Sequence, residues 1–207
     1  MINTIIFDVG NVLIDFDWDG FMLREFPNAD KNLIAKLDED VWGDDRWDRL
    51  DAGDDPKDVI QNIIDYDPEH ETELRKIFEN VGDTLRKRPA SSVWLKELKS
   101  RGYRLLYLSN YSHYVMELNP EVLDFLPLLD GGVFSCDVKV TKPNRKIYEI
   151  ITEKYNLVPE ECVFIDDLAR NIKGAEDFGF HGIQFKTPEQ ARADLNKILA
   201  EKGEKMK

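Results

Sequence analysis

The groups best suited to chemistry in this chain each follow a short apolar run. Asp8 closes Thr4-Ile5-Ile6-Phe7, Ser109-Asn110 close the run Tyr103 to Leu108, and Asp166-Asp167 close Cys162 to Ile165. Lys142 stands in a loop shortly after Val133-Phe134-Ser135. An ionised carboxylate has little reason to end a buried strand unless a charged group meets it there. Two or three carboxylates gathered in a low-dielectric cleft repel one another unless a hard divalent cation lies between them. Mg²⁺ fits that place, because it takes oxygen ligands, keeps several waters and commonly bridges one or two carboxylates to a substrate phosphate. Lys142 and the Ser109 hydroxyl could then hold the remaining phosphoryl oxygens while Asp8 attacks phosphorus in line.

Such a set converges only if the elements carrying it are parallel strands. From Pro89 onward the chain alternates helix and strand patterns. Helices are expected from Pro89 to Arg101-Gly102, near Ser112, from Arg145 to Tyr155 behind an Asn144 N-cap, from about Leu168 to Phe178, and after Pro188. Strands are expected at Tyr103 to Leu108, Val133 to Ser135, Cys162 to Ile165 and Gly182 to Phe185. The alternation predicts an α/β fold, a Rossmann-like parallel sheet with helices on both faces. In such sheets ligands bind beyond the carboxyl ends of the strands, where the polar residues named above would meet.

The first strand pattern runs from Thr4 to Leu13, and Ile14 to Gly20 reads as a linker with acids alternating with aromatics. From about Gly20 to Arg86 there is no strand pattern. Apolar residues recur at three- and four-residue spacing, with breaks at Pro27-Asn28, at Ala52 to Pro56 and at Asp67-Pro68. This predicts an inserted small α-helical cap of about four helices. Trp42, Trp47, Asp44, Asp45 and Arg46 could face a substrate from it, although aromatics at helical spacing more often form core. The acidic run around Asp51 to Asp58 reads as a solvated turn and helix start, and the tail Glu201 to Lys207 as polar and frayed.

With 207 residues, 42% apolar and 33% charged, the chain can bury one domain plus a modest insertion. A net charge of −13 argues against nucleic-acid binding and against anionic lipid. No apolar run approaches a bilayer span, so a cytoplasmic protein without membrane contact is expected, either monomer or homodimer. The two cysteines, Cys136 and Cys162, are expected in strands, reduced and buried, without metal spacing. His70, His113 and His181 lack ligand or triad spacing; His113 follows Ser109-Asn110 closely enough to line a site, but a structural role is expected.

Four segments carry a resemblance. Phe7-Asp8-Val9-Gly10-Asn11-Val12-Leu13, Leu106-Tyr107-Leu108-Ser109-Asn110, Lys142 to Tyr148, and Phe164-Ile165-Asp166-Asp167 with Asn171 resemble, in order, the four motifs of the haloacid dehalogenase superfamily. Within it the chain looks most like bacterial sugar-phosphate phosphatases with a small helical cap, the group containing glucose-1-phosphate phosphatase. The resemblance implies a hydrolase core at 1–16 and 87–207 and a cap at 17–86. It implies a magnesium-dependent phosphatase acting on a small phosphorylated metabolite through an aspartyl-phosphate on Asp8. Ser109 and Lys142 would bind the phosphoryl group, with Asn110, Gly10 and Asn11 also against the substrate. The cation would take Asp8, the Gly10 carbonyl and Asp167, with Asp166 behind it or ligating through water. Asn171, one helical turn after Asp167, would orient that carboxylate.

One departure weakens the pattern. Most phosphatases of this superfamily carry an aspartate two residues after the nucleophile as general acid, and here that position is Gly10. Acid–base help contributes roughly 10²–10⁴-fold, so slow turnover or a good leaving group is expected, unless Asp15 or Asp17 substitutes. The rival readings are a feebly active phosphate-ligand binder with a regulatory role, and a 2-haloacid dehalogenase using the same Asp8.

Overall fold

The computed structural model describes residues 1–204, with side chains through residue 201. The elements in chain order are β1 (Thr4–Phe7), β2 (Ile14–Phe16), α1 (Trp18–Glu25), α2 (Lys31–Trp42), α3 (Arg46–Asp51), α4 (Pro56–Tyr66), α5 (Glu71–Asn80), β3 (Leu85–Lys87) and α6 (Pro89–Ser100). They continue with β4 (Arg104–Ser109), α7 (His113–Leu118), β5 (Gly132–Phe134), α8 (Ser135–Val138), α9 (Arg145–Tyr155), β6 (Cys162–Asp166), α10 (Ala169–Phe178), β7 (His181–Gln184) and α11 (Pro188–Glu204).

Among the described residues the main sheet has five parallel strands in the order β5-β4-β1-β6-β7. β1 is central because its run Ile5-Ile6-Phe7 is apolar and can be buried on both faces. Successive residues point to opposite sides. Ile5 and Phe7 pack with Trp94, Leu95 and Leu98 of α6 and with Ala191 and Leu195 of α11. Ile6 packs with Ile147, Tyr148 and Ile151 of α9 and with Ile172 and Ala175 of α10. Helices therefore cover both faces, as the alternating pattern predicts.

Register decides what meets at the carboxyl ends. Phe7 lies opposite Tyr107 of β4 and Ile165 of β6, which sets Asp8 level with Leu108 and Asp166 one residue on. The expected strand to Leu13 instead stops at Phe7, because the Val9 carbonyl accepts the N–H groups of Val12, Leu13 and Ile14 and turns the chain. Asn11 takes a left-handed backbone in that turn (φ 55°), which asparagine tolerates well.

The segment read as a linker is β2, paired antiparallel with β3 through Phe16↔Leu85 and Ile14↔Lys87. This two-stranded ribbon carries the chain into and out of α1–α5. The insertion holds five α-helices among the described residues, one more than expected, since α3 is a separate six-residue helix. Cys136 lies in the one-turn helix α8 rather than a strand, while Cys162 opens β6; both are buried thiols. α11 continues through Glu204, and residues 205–207 of the expected frayed tail lie outside the described residues. Among the described residues no helix is long and apolar enough to cross a membrane.

Candidate active site

At the end of β1 the Asp8 carboxylate is 7% exposed, and Lys142 Nζ lies 2.9 Å from its Oδ1. The same ammonium lies 2.6 Å from Oδ2 of Asp166, which is fully buried. Burial alone disfavours a charged lysine, but Asp166 and Asp8 outweigh it and hold the Lys142 pKa above the ordinary lysine value. Burial pushes Asp8 up to about 7; Lys142 opposes that rise and Asp166 adds to it.

Asp166 is fastened from all sides. Its Oδ1 accepts the Leu168 N–H at 2.8 Å, and Asn171 Nδ2 donates to both oxygens at 3.1 and 3.0 Å. Asn171 therefore orients Asp166, not Asp167 as expected. It sits two residues into the first turn of α10, and its own Oδ1 is buried without a hydrogen-bond partner. Asp166 in turn holds Lys142. Asn110 also serves Lys142: its side chain donates to the Lys142 carbonyl at 3.0 Å and accepts the Lys142 N–H at 2.8 Å. This reciprocal clamp fixes the loop before α9.

Asp167 is half-buried and turns toward the β1 end, where Asn11 Nδ2 donates to its Oδ2 at 3.2 Å. Burial raises its pKa, and Asp166 adds to the rise. Oxygens of Asp8, Asp166 and Asp167 lie within 4.8 Å of one another. Ser109, 1% exposed at the end of β4, has a hydroxyl with no hydrogen-bond partner.

A cavity of about 330 Å³ opens between these strand ends and the helical insertion. Asp8, Gly10, Asn11, Asn110, Lys142, Asp167 and Asn171 line its core side. Across from them stand Phe16, Trp42 and Trp47, with Asp45, Asp48 and Asp51 from α3 and the turn before it. Trp42 and Trp47 pack with centroids 4.7 Å apart, so the expected aromatic core of the insertion also forms a wall of the cavity. Arg46 turns away onto Tyr66, and Asp44 reaches out to Arg46.

Other candidates lie elsewhere. Asp15 pairs with Arg88, and Asp17 caps α1 while pairing with Arg24 and Arg86, so neither lines the cavity where a proton donor is needed. His113 is exposed beside Asp137, 3.1 Å away. The sequence reading missed Asp48, Asp51, Tyr111 and Arg170, which also border the cavity. Asp45, Asp48 and Asp51 recur at intervals of three, a helix-face spacing that could have drawn attention to Asp51 instead of the solvated turn expected there.

Residues 2–179 match the family model of haloacid dehalogenase-like hydrolases. The chain belongs to this family. Its hydrolase fold recurs in a HAD-like family hydrolase from Porphyromonas gingivalis, with TM-score 0.74 and 23% identity over 96% of this chain and 98% of that one. It recurs also in a HAD family enzyme from Bacteroides thetaiotaomicron, solved in complex with magnesium and inorganic phosphate, with TM-score 0.70 and 20% identity over 91% of this chain and 96% of that one. D-ribitol-5-phosphate phosphatase of Bacteroides thetaiotaomicron is 26% identical over 96% of this chain and 99% of its own length. Other relatives are longer: the chain spans 10% of mouse acyl-CoA dehydrogenase family member 10 and 42% of (S)-2-haloacid dehalogenase 4A from Burkholderia cepacia.

Proposed function

We propose that this hydrolase is a magnesium-dependent phosphomonoesterase acting on a small phosphorylated metabolite, with a sugar phosphate as the leading class. The observation that carries the reading is the buried Asp8–Lys142–Asp166 arrangement, with the unpartnered Ser109 hydroxyl beside it. It offers a nucleophile, a fixed ammonium and a free donor around one point. The full-length likeness to a sugar-alcohol phosphate phosphatase supports the same choice.

Three carboxylates against one ammonium leave an excess of two negative charges where a phosphoryl dianion must bind. That donor set of hard oxygens fits magnesium. Asp166 is closed off by Lys142, Leu168 and Asn171, so Asp8, the Gly10 carbonyl and Asp167 would hold the ion. When bound, magnesium supplies the charge that favours ionised Asp8 and neutralises phosphoryl oxygens.

The chain's own residues then do the following. The Asp8 carboxylate attacks phosphorus and forms the aspartyl-phosphate, while Lys142 and Ser109 hold phosphoryl oxygens. Asp166, Asn110 and Asn171 keep Lys142 charged and in place. Residues 17–86 act as the cap, and Trp42 and Trp47 offer an apolar face on which a sugar ring can pack.

The test is phosphate release from a generic aryl phosphate, with and without Mg²⁺, by wild type and Asp8→Asn. Release that needs both the metal and Asp8 supports the reading. Metal-free release, or equal release by the variant, overturns it, and tight phosphate binding without turnover favours a binding protein. Halide displacement from a 2-haloacid by Asp8 needs no metal. It is disfavoured because the site gathers Asp166 and Asp167 beside Asp8, carboxylates that a metal-free displacement does not need.

A further inference from the structure

Gly10 lacks the carboxylate that most family phosphatases place there, and neither Asp15 nor Asp17 reaches the cavity. A Cβ added at Gly10 meets nothing within 4 Å, so the position is bordered by open cavity rather than by a packed neighbour. A leaving oxygen departing from phosphorus above Asp8 enters that space. Besides Asp8 and Asp167, the acids bordering the cavity come from the insertion, on α3 and the turn before it.

Asp51 and Asp48 differ in their surroundings. Asp48 answers to the charges of Arg170 and Asp45, whereas Asp51 answers to Asp8 and Lys142 as well as to Asp48. Of these two cavity acids, Asp51 is the one that feels the charges of Asp8 and Lys142. Its helix end is tied to the core, because Ser135 Oγ donates to the Asp51 carbonyl at 2.5 Å while accepting the Tyr111 N–H at 3.0 Å. Tyr111 is 6% exposed, lines the same cavity and has a phenolic oxygen without a hydrogen-bond partner. An unpartnered hydroxyl beside an acid is what a polar leaving group would complete.

We propose that Asp51 replaces the missing acid at position 10 and moves the proton for this reaction. The inference rests on the phosphatase reading. In the first half, Asp8 forms a bond to phosphorus, the bond from phosphorus to the leaving oxygen breaks, and that oxygen takes the proton of the Asp51 carboxylic acid and departs as a neutral alcohol. In the second half, the Asp51 carboxylate takes a proton from water. The water oxygen bonds to phosphorus, the phosphorus–Asp8 bond breaks, and phosphate, free Asp8 carboxylate and protonated Asp51 are restored. Burial, then Asp48 and Asp8, push the Asp51 pKa up to about 8 against the opposing Lys142, so the acid form is available near neutral pH. Cys136 on α8 and Tyr111 after β4 are the other titratable groups facing it.

The experiment compares wild type and Asp51→Asn by rapid quench, with Mg²⁺, on an aryl phosphate and on an alkyl sugar phosphate. Asparagine keeps the size and the backbone carbonyl, and the Asp51 carboxylate makes no side-chain hydrogen bond among the described residues that it would break. Phosphoenzyme formation from the alkyl ester falls roughly 100-fold or more in the variant, while an aryl ester, whose phenolate departs unaided, still gives a burst of phenol followed by slow turnover. An equal loss on both esters in the first half-reaction, with Asp8-dependent release intact in wild type, overturns the assignment of Asp51 alone. Absence of Asp8-dependent release in wild type overturns the phosphatase reading and this inference with it.

Discussion

Lys142 Nζ lies 2.6 Å from Asp166 Oδ2, and both groups are withdrawn from solvent. The pair sets where the positive charge of the site stands, since Asp166 is itself fixed by the Leu168 N–H and by Asn171. Removing one partner of a buried pair leaves the other charge uncompensated. Asp166→Asn should therefore cost on the order of 3 kcal/mol in urea unfolding, and should weaken phosphate binding as Lys142 loses its fixed direction. Unchanged unfolding would show that Asp8 alone is enough to hold the lysine.

Asp167 faces the end of β1 and pairs with Asn11, not with Lys142. In the proposed mechanism it is one of the carboxylates that would hold the cation. Mg²⁺ at about 100 times its dissociation constant should stabilise wild type by about 2.7 kcal/mol. Asp167→Asn should lower that affinity at least about tenfold in thermal-shift titrations. An identical Mg²⁺ response in the variant would remove Asp167 from the ligand set.

Asp51 gives stability a pH dependence whose sign is fixed. Its folded pKa is raised to about 8, so between the ordinary carboxylate value and that point the folded chain holds a proton that the unfolded chain has lost. Stability contributed by this group is thus full at low pH and is lost as pH rises through about 8. Asp51→Asn removes the slope. Relative to wild type the variant should gain stability from about pH 5 to about pH 9 in paired urea titrations; a constant difference would contradict the raised pKa.

The open space at Gly10 allows a direct repair. Gly10→Asp meets no neighbour at its Cβ and takes no left-handed backbone. In the Asp51→Asn background it should recover at least about tenfold of the lost alkyl-phosphate turnover, because a carboxylate returns beside the leaving oxygen. In otherwise wild-type protein the gain should be smaller. A larger gain there than in the Asp51→Asn background would mean that no cap acid was at work.

Much of the core was legible in the sequence because Asp8, Ser109 and Asp166 stand at strand ends. The apolar runs before Asp8, Ser109 and Asp166 mark parallel strands, and a parallel sheet brings such ends to one edge. Partners inside that edge were not legible. Asn171 lies four residues after Asp167 and five after Asp166, and only the turn from β6 into α10 shows that it serves Asp166 rather than Asp167. The β2–β3 ribbon was hidden because Ile14-Asp15-Phe16 finds its partner about 70 residues later, at Leu85–Lys87. Asp51 was read as solvated since its facing depends on how α3 docks, which Ser135 fixes from the far side of the chain.

The central claim is that Asp8 carries the phosphoryl group. A rapid quench of the wild-type enzyme mixed with ³²P-labelled aryl phosphate and Mg²⁺, followed by digestion, measures this directly. Label should appear on the peptide containing Asp8, be released by hydroxylamine as an acyl phosphate is, and be absent from Asp8→Asn. Phosphate release at the wild-type rate with no label on that peptide, or label on another residue, would contradict the account.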